Sequence, residues 1–250
     1  MIKAIIIDDE RNSRDIIALM LEKYCPEITI AATASDCADG IEKIRQHQPH
    51  LVFLDLEMPD GTGFDVLGGT LSDTPFEAVF VTAFEKKFLH VIRFSDVELI
   101  LKPIDKESLL QAVSLITTRI NAGANNNRYQ VLLENFNNNK SPGWKLIIPA
   151  TNKEEYTINL TAIEYLEAQA ENCLFCLNTG MQIIAKQSFR YYADLFSSLH
   201  FYQINNTQII QLPNISRLDT SGGKVILKSG IVLDITERRQ RDLLHKITHK

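Results

Sequence analysis

Residues 51–67 read LVFLDLEMPDGTGFDVL, and this stretch decides the fold. It begins with a short apolar run that ends in Asp55, and a Pro-Asp-Gly sequence typical of a turn follows. Residues 4–7 repeat the pattern, because the run AIII leads directly into Asp8 and Asp9. Short strands that are apolar throughout are buried on both faces, as in parallel sheets covered by helices. Both stretches therefore predict central strands of a parallel sheet with acidic carboxyl ends.

The rest of the first 120 residues alternates short apolar runs with longer stretches whose apolar residues recur at helical spacing. This alternation predicts an α/β fold, an open, doubly wound parallel sheet of five strands. Its working site is expected at the carboxyl ends of the strands, near the topological switch. The predicted strands are residues 4–7, 28–32, 51–55, 78–81 and 97–101, and the predicted helices are residues 11–24, 36–46, 85–94 and 105–120.

Residues 121–143 differ in composition, since asparagine clusters with Gly, Ser and Pro are typical of a linker. Within this stretch, residues 129–136 either prolong the preceding helix or form a short one. From residue 144 onward, short strand-like runs separated by turn residues predict a mostly β domain over residues 144–250. The chain thus divides into a first domain, residues 1–120, a linker and a second domain. The predicted helices of the second domain are residues 188–199 and 237–247.

The composition of the 250 residues, 45% hydrophobic and 23% charged, excludes a collagen-like or wholly disordered chain. No stretch approaches the ~20 uninterrupted apolar residues of a membrane helix, and the N-terminus lacks a small-residue cleavage site. Four scattered cysteines are too few for a disulfide scaffold, which fits a reducing compartment. We therefore expect a cytoplasmic protein.

The net charge of −5 is unevenly distributed along the chain. Residues 1–120 carry 12 Lys and Arg against 20 Asp and Glu, whereas residues 141–250 carry 12 against 10. The acidic first half favours metal or phosphate chemistry, and the mildly basic second half favours a polyanion partner. The second signal is weak, because dedicated nucleic-acid binders are strongly basic.

Functional side chains follow four of the predicted strands. Asp8 and Asp9 follow the first strand, Asp55 ends the third, and Thr82 and Lys102 follow the fourth and fifth. Converging carboxylates repel one another unless a cation lies between them, and hard oxygen ligands select Mg²⁺ or Ca²⁺. The set suits a carboxylate nucleophile that receives a phosphoryl group. The metal and the lysine would neutralise the phosphoryl oxygens, and the threonine would donate a hydrogen bond.

Residues 1–120 resemble the receiver domain of two-component response regulators, on the segments IIIDDE, LVFLDLEMPDGTGFDVL, VFVTAF and LILKP. The resemblance implies a flavodoxin-like fold with Asp55 as the phosphoryl acceptor. It also implies a Mg²⁺ ion bound by Asp55 and Asp9, by Asp8 through water, and by the main-chain carbonyl of Glu57. The other residues it identifies are Thr82 and Lys102 as phosphoryl contacts, Ala83 as the small residue that gives the phosphoryl group access, and Pro103, whose bond to Lys102 is expected to be cis.

One switch position differs from the family pattern. Leu99 stands where receivers often have Tyr or Phe, whose ring turns inward when the threonine moves. A leucine would have to repack in place of that ring. The helix at residues 85–94 and the strand at residues 97–101 are the expected signalling face.

Residues 144–250 resemble the LytTR-type DNA-binding domain, on the strand IEYLEA, the turn at Asn172, the helix that ends before His200, and a final Thr-x-Arg. Such domains are mainly β and bind DNA through loops in successive major grooves. The family usually has an arginine, a histidine and a basic residue where this chain has amides, and fewer cations weaken phosphate neutralisation. Amides can pair with adenine, and arginines with guanine or phosphate. The candidate DNA contacts are Gln203, Asn205, Asn206, Arg238, Arg239 and Arg241.

The favoured function is a response-regulator transcription factor and not an enzyme. A sensor histidine kinase would transfer a phosphoryl group to Asp55, and a homodimer would then bind repeated promoter half-sites, with no membrane partner. The alternative keeps the receiver but makes the β domain a protein-interaction module, and the missing cations motivate it. A third hypothesis is an aspartyl-phosphate phosphatase. That chemistry normally needs an Asp two residues after the nucleophile, where this chain has Glu57.

Overall fold

The computed structural model describes residues 1–83, 86–123, 127–138 and 143–248. Contacts between Cα atoms divide the chain into two compact units, residues 1–139 and 140–250. Among the described residues, no helix has both the length and the apolar character that crossing a bilayer requires.

The first unit alternates strands with helices along the chain. Its strands are β1 (Ile2–Ile7), β2 (Ile28–Ala34), β3 (Leu51–Asp55), β4 (Glu57–Met58), β5 (Gly61–Thr62), β6 (Glu77–Thr82) and β7 (Glu98–Leu101). Its helices are α1 (Arg11–Tyr24), α2 (Cys37–His47), α3 (Gly63–Thr70), α4 (Lys86–Phe94), α5 (Lys106–Asn121) and α6 (Asn127–Asn137). The predicted helix at 85–94 therefore agrees with α4, except that residue 85 lies outside the described residues.

In the described part of this unit, five strands form one sheet in the order β2-β1-β3-β6-β7, and every neighbouring pair is parallel. The order reverses beside β1, so the topological switch lies between β1 and β3. Asp55 pairs in register with Val81, and Thr82 with Leu101. The carboxyl ends of β3, β6 and β7 therefore meet at one edge. This topology confirms the predicted doubly wound, flavodoxin-like fold.

The two faces of the sheet carry separate apolar layers. On one face, Val81 belongs to a cluster with Ile17 of α1 and Val113 of α5. Side chains alternate along a strand, so the neighbouring Phe80 points to the other face. There its ring lies 5.4 Å from that of Phe64 on α3. With both faces covered, the central strands are fully buried, which explains why they read as continuous apolar runs.

Helix α3 is missing from the prediction made from sequence, which treated the chain after Asp55 as a turn. Two of the three glycines in α3, Gly68 and Gly69, lie beyond its first turn and lower helix propensity by about 1 kcal/mol each relative to alanine. A capping box nevertheless starts the helix: the Thr62 hydroxyl accepts from the Asp65 N–H, and the Asp65 carboxylate accepts from the Thr62 N–H. The Thr-x-x-Asp spacing is the signal that could have revealed this helix.

Helix α6 lies within the stretch that the sequence analysis assigns to a linker and takes up about half of it. It packs against α3 and α4 and belongs to the first unit. Its buried side chains are Arg128, Tyr129, Val131, Leu132 and Asn135. The prediction was wrong because asparagines on both sides of this segment obscure its short amphipathic pattern. Of the two alternatives considered for residues 129–136, the structure has the separate short helix and not a prolonged α5. Residues 124–126 and 139–142 of the predicted linker lie outside the described residues.

The second unit consists mainly of antiparallel strands, which confirms the predicted mostly β fold. Its strands are β8 (Lys145–Pro149), β9 (Glu155–Asn159), β10 (Ile163–Gln169), β11 (Asn172–Leu177), β12 (Gln182–Ala185), β13 (Phe201–Gln203), β14 (Gln208–Gln211), β15 (Ile215–Asp219), β16 (Lys224–Leu227) and β17 (Val232–Asp234). Its helices are α7 (Phe189–Leu195) and α8 (Glu237–Thr248). The described strands form a sheet in the order β12-β11-β10-β14-β13, a sheet β15-β16-β17 and the hairpin β8-β9.

Helix α7 is shorter than the predicted helix at 188–199. Ser188 caps its start as expected, by accepting from the Tyr191 N–H. The helix ends at Leu195, because the backbone N–H and the hydroxyl of Ser197 both donate to the carbonyl of Asp194. These bonds span three residues and take the place of the next helical hydrogen bonds, so α7 ends four residues before the predicted helix.

We predict that Tyr129→Phe destabilises the first unit. Tyr129 is completely buried, and its hydroxyl accepts from the Ala78 N–H at 2.6 Å and donates to the Glu77 carboxylate at 2.9 Å. Removing a buried partner of this kind costs about 1–3 kcal/mol. Urea unfolding followed by helical circular dichroism should show the loss.

Two comparisons make this measurement specific. Tyr24→Phe removes a hydroxyl from an exposed tyrosine on α1 and should change the unfolding free energy by less than about 0.5 kcal/mol. The single tryptophan, Trp144, lies in the second unit, so its fluorescence transition serves as an internal reference. Equal unfolding free energies for the Tyr129→Phe variant and the unmodified chain would contradict the assigned role of the hydroxyl.

Candidate functional site

Three carboxylates meet at the switch point of the first sheet. Asp8 and Asp9 directly follow β1, and Asp55 is the last residue of β3. One oxygen from each lies within 4.8 Å of the others, a spacing that can hold a metal ion. Asp8 and Asp55 are buried, with 1% and 5% exposure, whereas Asp9 is exposed. The parallel register of β1 and β3 thus brings these acids together, as the sequence predicts.

Lys102 supplies the positive charge at this site. Its Nζ lies 2.7 Å from Asp55 Oδ2 and 3.0 Å from Asp8 Oδ2. The Lys102 side chain is itself only 11% exposed. Although burial alone would lower it, the hydrogen bonds to Asp55 and Asp8 raise the pKa of Lys102. The ammonium therefore stays charged and partly neutralises the two buried acids.

The single positive charge of Lys102 does not balance the negative charges of Asp8, Asp9 and Asp55. Burial, reinforced by the neighbouring Asp55 carboxylate and opposed by the hydrogen bond from Lys102, raises the pKa of Asp8 to about 6. The buried Oδ2 of Asp8 accepts no hydrogen bond of good geometry from the described residues. Carboxylate oxygens with free lone pairs are the ligands that hard divalent cations prefer. The acidic cluster is therefore of the type that binds Mg²⁺.

A cavity of about 380 Å³ opens beside these groups. It is lined by Asp9, Glu10, Asp55, Glu57, Thr82, Ala83 and Lys102. Thr82 is buried at the end of β6, whereas Glu57 and Ala83 are exposed. All the predicted metal and phosphoryl contacts except Asp8 therefore line one space, and Asp8 lies behind it in contact with Lys102. The Lys102–Pro103 bond is cis, as the resemblance implies.

The loop after Asp55 is fixed from both sides. The Glu57 N–H donates to Asp55 Oδ1, and the Gly63 N–H donates to the carbonyl of Leu56. Asp60 accepts from the first two N–H groups of α2, Cys37 and Ala38, at 2.9 and 3.1 Å. These bonds restrict where the Asp55 carboxylate can point.

Sequence reasoning missed three residues of this site. Glu10 lines the cavity with its carboxylate 3.6 Å from Lys102 Nζ, and its position directly after the two acids was the available signal. Arg14 donates to the carbonyls of Asp8 and Asp9, which fixes the loop that carries both acids. Gly63 lies so close to Asp55 that a Cβ there would be 2.5 Å from the Asp55 carbonyl. The Gly-Thr-Gly sequence after the turn was its only signal.

Leu99 lies away from the cavity-lining residues. It is half-buried and pairs in register with Phe80, so it points to the sheet face that carries α3 and α4. The switch position of β7 therefore holds an aliphatic side chain and not an aromatic ring. A phenylalanine from another element, Phe136 of α6, lies on the same sheet face, with its ring 4.2 Å from that of Phe64.

In the second unit, the two predicted DNA-contact segments lie side by side. The N–H of Thr236 donates to the carbonyl of Ile204, and the amide of Asn205 donates to the carbonyl of Asp234. Tyr202 donates its hydroxyl to the carbonyl of Arg239. The β13–β14 loop and the start of α8 therefore form one surface. We call residues 203–207 together with 236–241 the loop–helix surface.

Some candidate DNA-contact side chains on this surface are already hydrogen-bonded within the protein, and others are not. Asn205 is committed within the loop: its amide donates to Gln208 and Asp234, and its carbonyl accepts from Thr207. Asn206 and Arg238 are exposed and have no partner among the described residues. Arg239 donates to Gln203, and Arg241 pairs with Glu237. Asn206 and Arg238 are thus the side chains free to reach a ligand.

Comparison with known families agrees with the geometry of the first unit. Residues 4–114 match the family model described as the response regulator receiver domain. These residues form a response regulator receiver domain. The receiver accounts for the order of the strands, the acidic cluster and the lysine at the end of β7, and α6 follows beyond the matched range.

Several relatives carry regulator names. The chain is 36% identical over 113 residues to an uncharacterized response regulatory protein of Vibrio cholerae, and 32% identical over 114 residues to the sensory transduction protein LytT of Bacillus cereus. Each match covers 45% of this chain and about half of the relative, 47% and 46%. The transcriptional regulatory protein BtsR of Shigella flexneri matches over 99% of both chains at 22% identity. The second unit, in its mostly antiparallel fold, is consistent with the LytTR-type domain.

We predict that Gly63→Ala destabilises the receiver and moves Asp55. The new Cβ would lie 2.5 Å from the Asp55 carbonyl and 3.0 Å from Leu54 and Phe80, so the backbone must shift. Such overpacking costs about 1–3 kcal/mol, which urea unfolding should detect. Gly68→Ala is the matched control in the same helix, because nothing lies within 4 Å of its Cβ. There the better helix propensity of alanine should stabilise the receiver by up to about 1 kcal/mol. The same change of stability in both variants would refute the close approach.

Proposed function

We propose that this chain is a two-component response regulator in which Asp55 accepts a phosphoryl group and the second unit binds DNA under its control. The observation that carries the first part is the position of Lys102 Nζ, 2.7 Å from the Asp55 carboxylate at a cavity lined by further acids. A buried carboxylate held by an ammonium beside an open cavity is arranged for chemistry on that carboxylate.

The proposed reaction transfers a phosphoryl group from a phosphohistidine of a sensor kinase. An Asp55 oxygen forms a bond to phosphorus while the phosphorus–nitrogen bond breaks, and the imidazole leaves with its electron pair and takes up a proton. A Mg²⁺ ion held by Asp8, Asp9, Asp55 and the carbonyl of Glu57 would neutralise charge on the phosphoryl oxygens.

The remaining groups act on the transferred phosphoryl group. Lys102 keeps an ion pair with Asp55 and would follow the added negative charge of about −1.5 to −2. Thr82, at the end of β6, would donate its hydroxyl to a phosphoryl oxygen. Ala83 lines the cavity with a side chain too small to block access. These roles explain why each group lies at the carboxyl end of a strand.

We expect the full chain to take up one phosphoryl group from an acyl phosphate such as acetyl phosphate when Mg²⁺ is present. Intact mass spectrometry should show this addition, and it should disappear in Asp55→Asn or when the metal is chelated, because the nucleophile or the charge neutralisation is lost. Asp73→Asn is the control, because Asp73 is an exposed aspartate in the loop after α3. A phosphorylated Asp55→Asn variant would disprove the assignment of the acceptor.

The proposal for DNA rests on the loop–helix surface. Asn206 and Arg238 are exposed there, and Arg239 and Arg241 add positive charge beside them. An exposed amide can bond to an adenine edge, and an exposed guanidinium can bond to guanine or phosphate. Two copies of the surface on repeated half-sites would add their affinities if phosphorylation joins two receivers. We propose Asn206 for base recognition and Arg238 for a phosphate contact.

We predict different effects for the two contacts in gel-shift titrations against DNA selected from a random pool. Arg238→Ala should weaken binding to all sequences alike and reduce the salt slope by about 1, since one phosphate contact is lost. Asn206→Ala should relax the preference at one base position and leave the slope unchanged. Lys186→Ala is the charge-matched control, because Lys186 follows β12 at the opposite edge of the sheet from β13.

The same titration tests the alternative function. On the loop–helix surface, Arg238 is the one arginine whose guanidinium has no partner among the described residues, since Arg241 pairs with Glu237 and Arg239 with Gln203. If the unmodified chain forms no salt-sensitive complex with any selected or genomic DNA, the second unit is a protein-interaction module controlled by the receiver. Phosphorylation of Asp55 would remain intact in that case.

A further inference from the structure

A cavity of about 170 Å³ opens in the second unit between the C-terminal end of α7, the strands β13 and β14, and α8. Its apolar wall is formed by Phe196, Phe201 and Ile209, which are all buried. The rings of Phe196 and Phe201 stack on each other with their centres 4.3 Å apart. Because an apolar cavity of about 150 Å³ can hold one benzene molecule, this space is large enough for a ligand with a single six-membered ring.

The rim of this cavity carries an excess of positive charge. The charged side chains among its described lining residues are Arg239, Lys246 and Asp242, all on α8. The Tyr202 hydroxyl donates to Asp242 Oδ2 at 2.8 Å, and this hydrogen bond lowers the pKa of Asp242, so the carboxylate is ionised at neutral pH. Two positive charges therefore accompany one negative charge, and a ligand with a single negative charge would neutralise the cavity.

Both cations at the rim have partners that a ligand carboxylate can replace. Arg239 is half-buried and donates to the Gln203 side chain at 3.4 Å, which is long for a hydrogen bond. Lys246 Nζ lies 3.7 Å from Asp242 and 5.0 Å from the centre of the Tyr202 ring. A carboxylate would give Arg239 two parallel, charge-assisted hydrogen bonds, which are about twice as strong as bonds between neutral groups. The cavity thus combines an apolar wall with a site for a carboxylate.

The cavity shares two residues, Gln203 and Arg239, with the loop–helix surface. The Tyr202 hydroxyl donates to the main-chain carbonyl of Arg239 at 2.9 Å, so the backbone of α8 remains attached to β13 whichever way the Arg239 side chain turns. A carboxylate in the cavity would therefore draw the guanidinium away from Gln203 without moving the helix. Filling the cavity changes the positive charge that the loop–helix surface presents.

We propose that this cavity binds a small aromatic monocarboxylate, with its ring against Phe196 and Phe201 and its carboxylate on Arg239 and Lys246. A bound ligand withdraws Arg239 from the loop–helix surface and weakens DNA binding. The ligand site is independent of any other assignment, whereas its effect on DNA rests on the proposed DNA binding of the second unit. A diffusible acid would then act on the same surface that the proposed phosphorylation of Asp55 controls.

Fluorine NMR of 4-fluorobenzoate, titrated with the full chain, measures binding to the cavity. We expect a dissociation constant of about 0.1–1 mM, the range for a ligand with one ring. The neutral probe 4-fluorobenzamide has nearly the same shape and should bind at least about tenfold more weakly, because it forms no charge-assisted bonds. The absence of saturable 4-fluorobenzoate binding up to about 10 mM, or equal affinities for the two probes, would overturn the inference.

Variants of the lining residues locate the bound probe. Arg239→Gln should weaken 4-fluorobenzoate binding by about tenfold or more, because the bonds to the guanidinium are lost. Ala193→Leu should abolish binding with every charge retained, since Ala193 lines the cavity from α7 and a larger side chain fills it. Arg238→Gln is the matched control, because Arg238 is exposed and outside the cavity lining, and it should change the affinity by less than about twofold. Unchanged affinity in Arg239→Gln, or in an Ala193→Leu variant whose Trp144 fluorescence shows a folded second unit, would refute the site.

Gel-shift titrations at matched ionic strength test the effect on DNA. Saturating 4-fluorobenzoate should weaken the complex of the full chain with selected DNA by about three- to tenfold and reduce the salt slope by up to about 1, because one cation is withdrawn. In Ala193→Leu, the probe should leave the complex unchanged.

Failure of the ligand site and failure of the proposed function give different results. If 4-fluorobenzoate binds through Arg239 and the DNA affinity of the full chain does not change, control of the loop–helix surface is refuted and the ligand site stands. If the full chain forms no DNA complex with or without the probe, the proposed DNA binding fails, and the fluorine titrations alone decide the ligand site.

Discussion

Repulsion among carboxylates at one edge of a parallel sheet is the constraint on which the first unit depends. The register of β1 and β3 forces Asp8 and Asp55 into a buried position, where two negative charges are costly. Lys102, brought to the same edge by β7, offsets part of that cost through contacts of 2.7 and 3.0 Å. The loop bonds from Glu57, Gly63 and Asp60, and the anchoring of the β1–α1 loop by Arg14, then hold charges that would otherwise move apart.

Much of this site is legible in the sequence, because strand ends are marked by an abrupt change from apolar to charged residues. Asp8, Asp9, Asp55, Thr82 and Lys102 all lie at such changes, and a parallel sheet has only one edge where carboxyl ends can meet. Helices with a clear apolar period, such as α1, were predicted with their observed ends. Such patterns do not reveal tertiary contacts. Gly63 and Arg14 belong to the site because the folded chain places Gly63 against the carbonyl of Asp55 and Arg14 against the carbonyls of Asp8 and Asp9.

The helices that the sequence misjudged fail for identifiable reasons. Helix α3 contains three glycines and depends on its capping box. Helix α6 is flanked by asparagines and depends on burial of Tyr129 against β6. Helix α7 ends early because Ser197 competes for the carbonyl of Asp194. In the second unit, both asparagines of the β13–β14 loop are candidate DNA contacts by sequence. The amide of Asn205, however, donates hydrogen bonds to Gln208 and Asp234. Neighbouring residues of the same type can therefore have opposite roles, one structural and one available.

The packing of α6 also determines where this chain can be cut. A fragment that stops at residue 121, where the helix after β7 ends, would uncover the apolar surface of Phe64 and Phe88 and remove the hydroxyl that bonds to Glu77. Freshly exposed aromatic surface of this kind promotes self-association. An N-terminal fragment that keeps this aromatic surface covered therefore extends at least through Asn137.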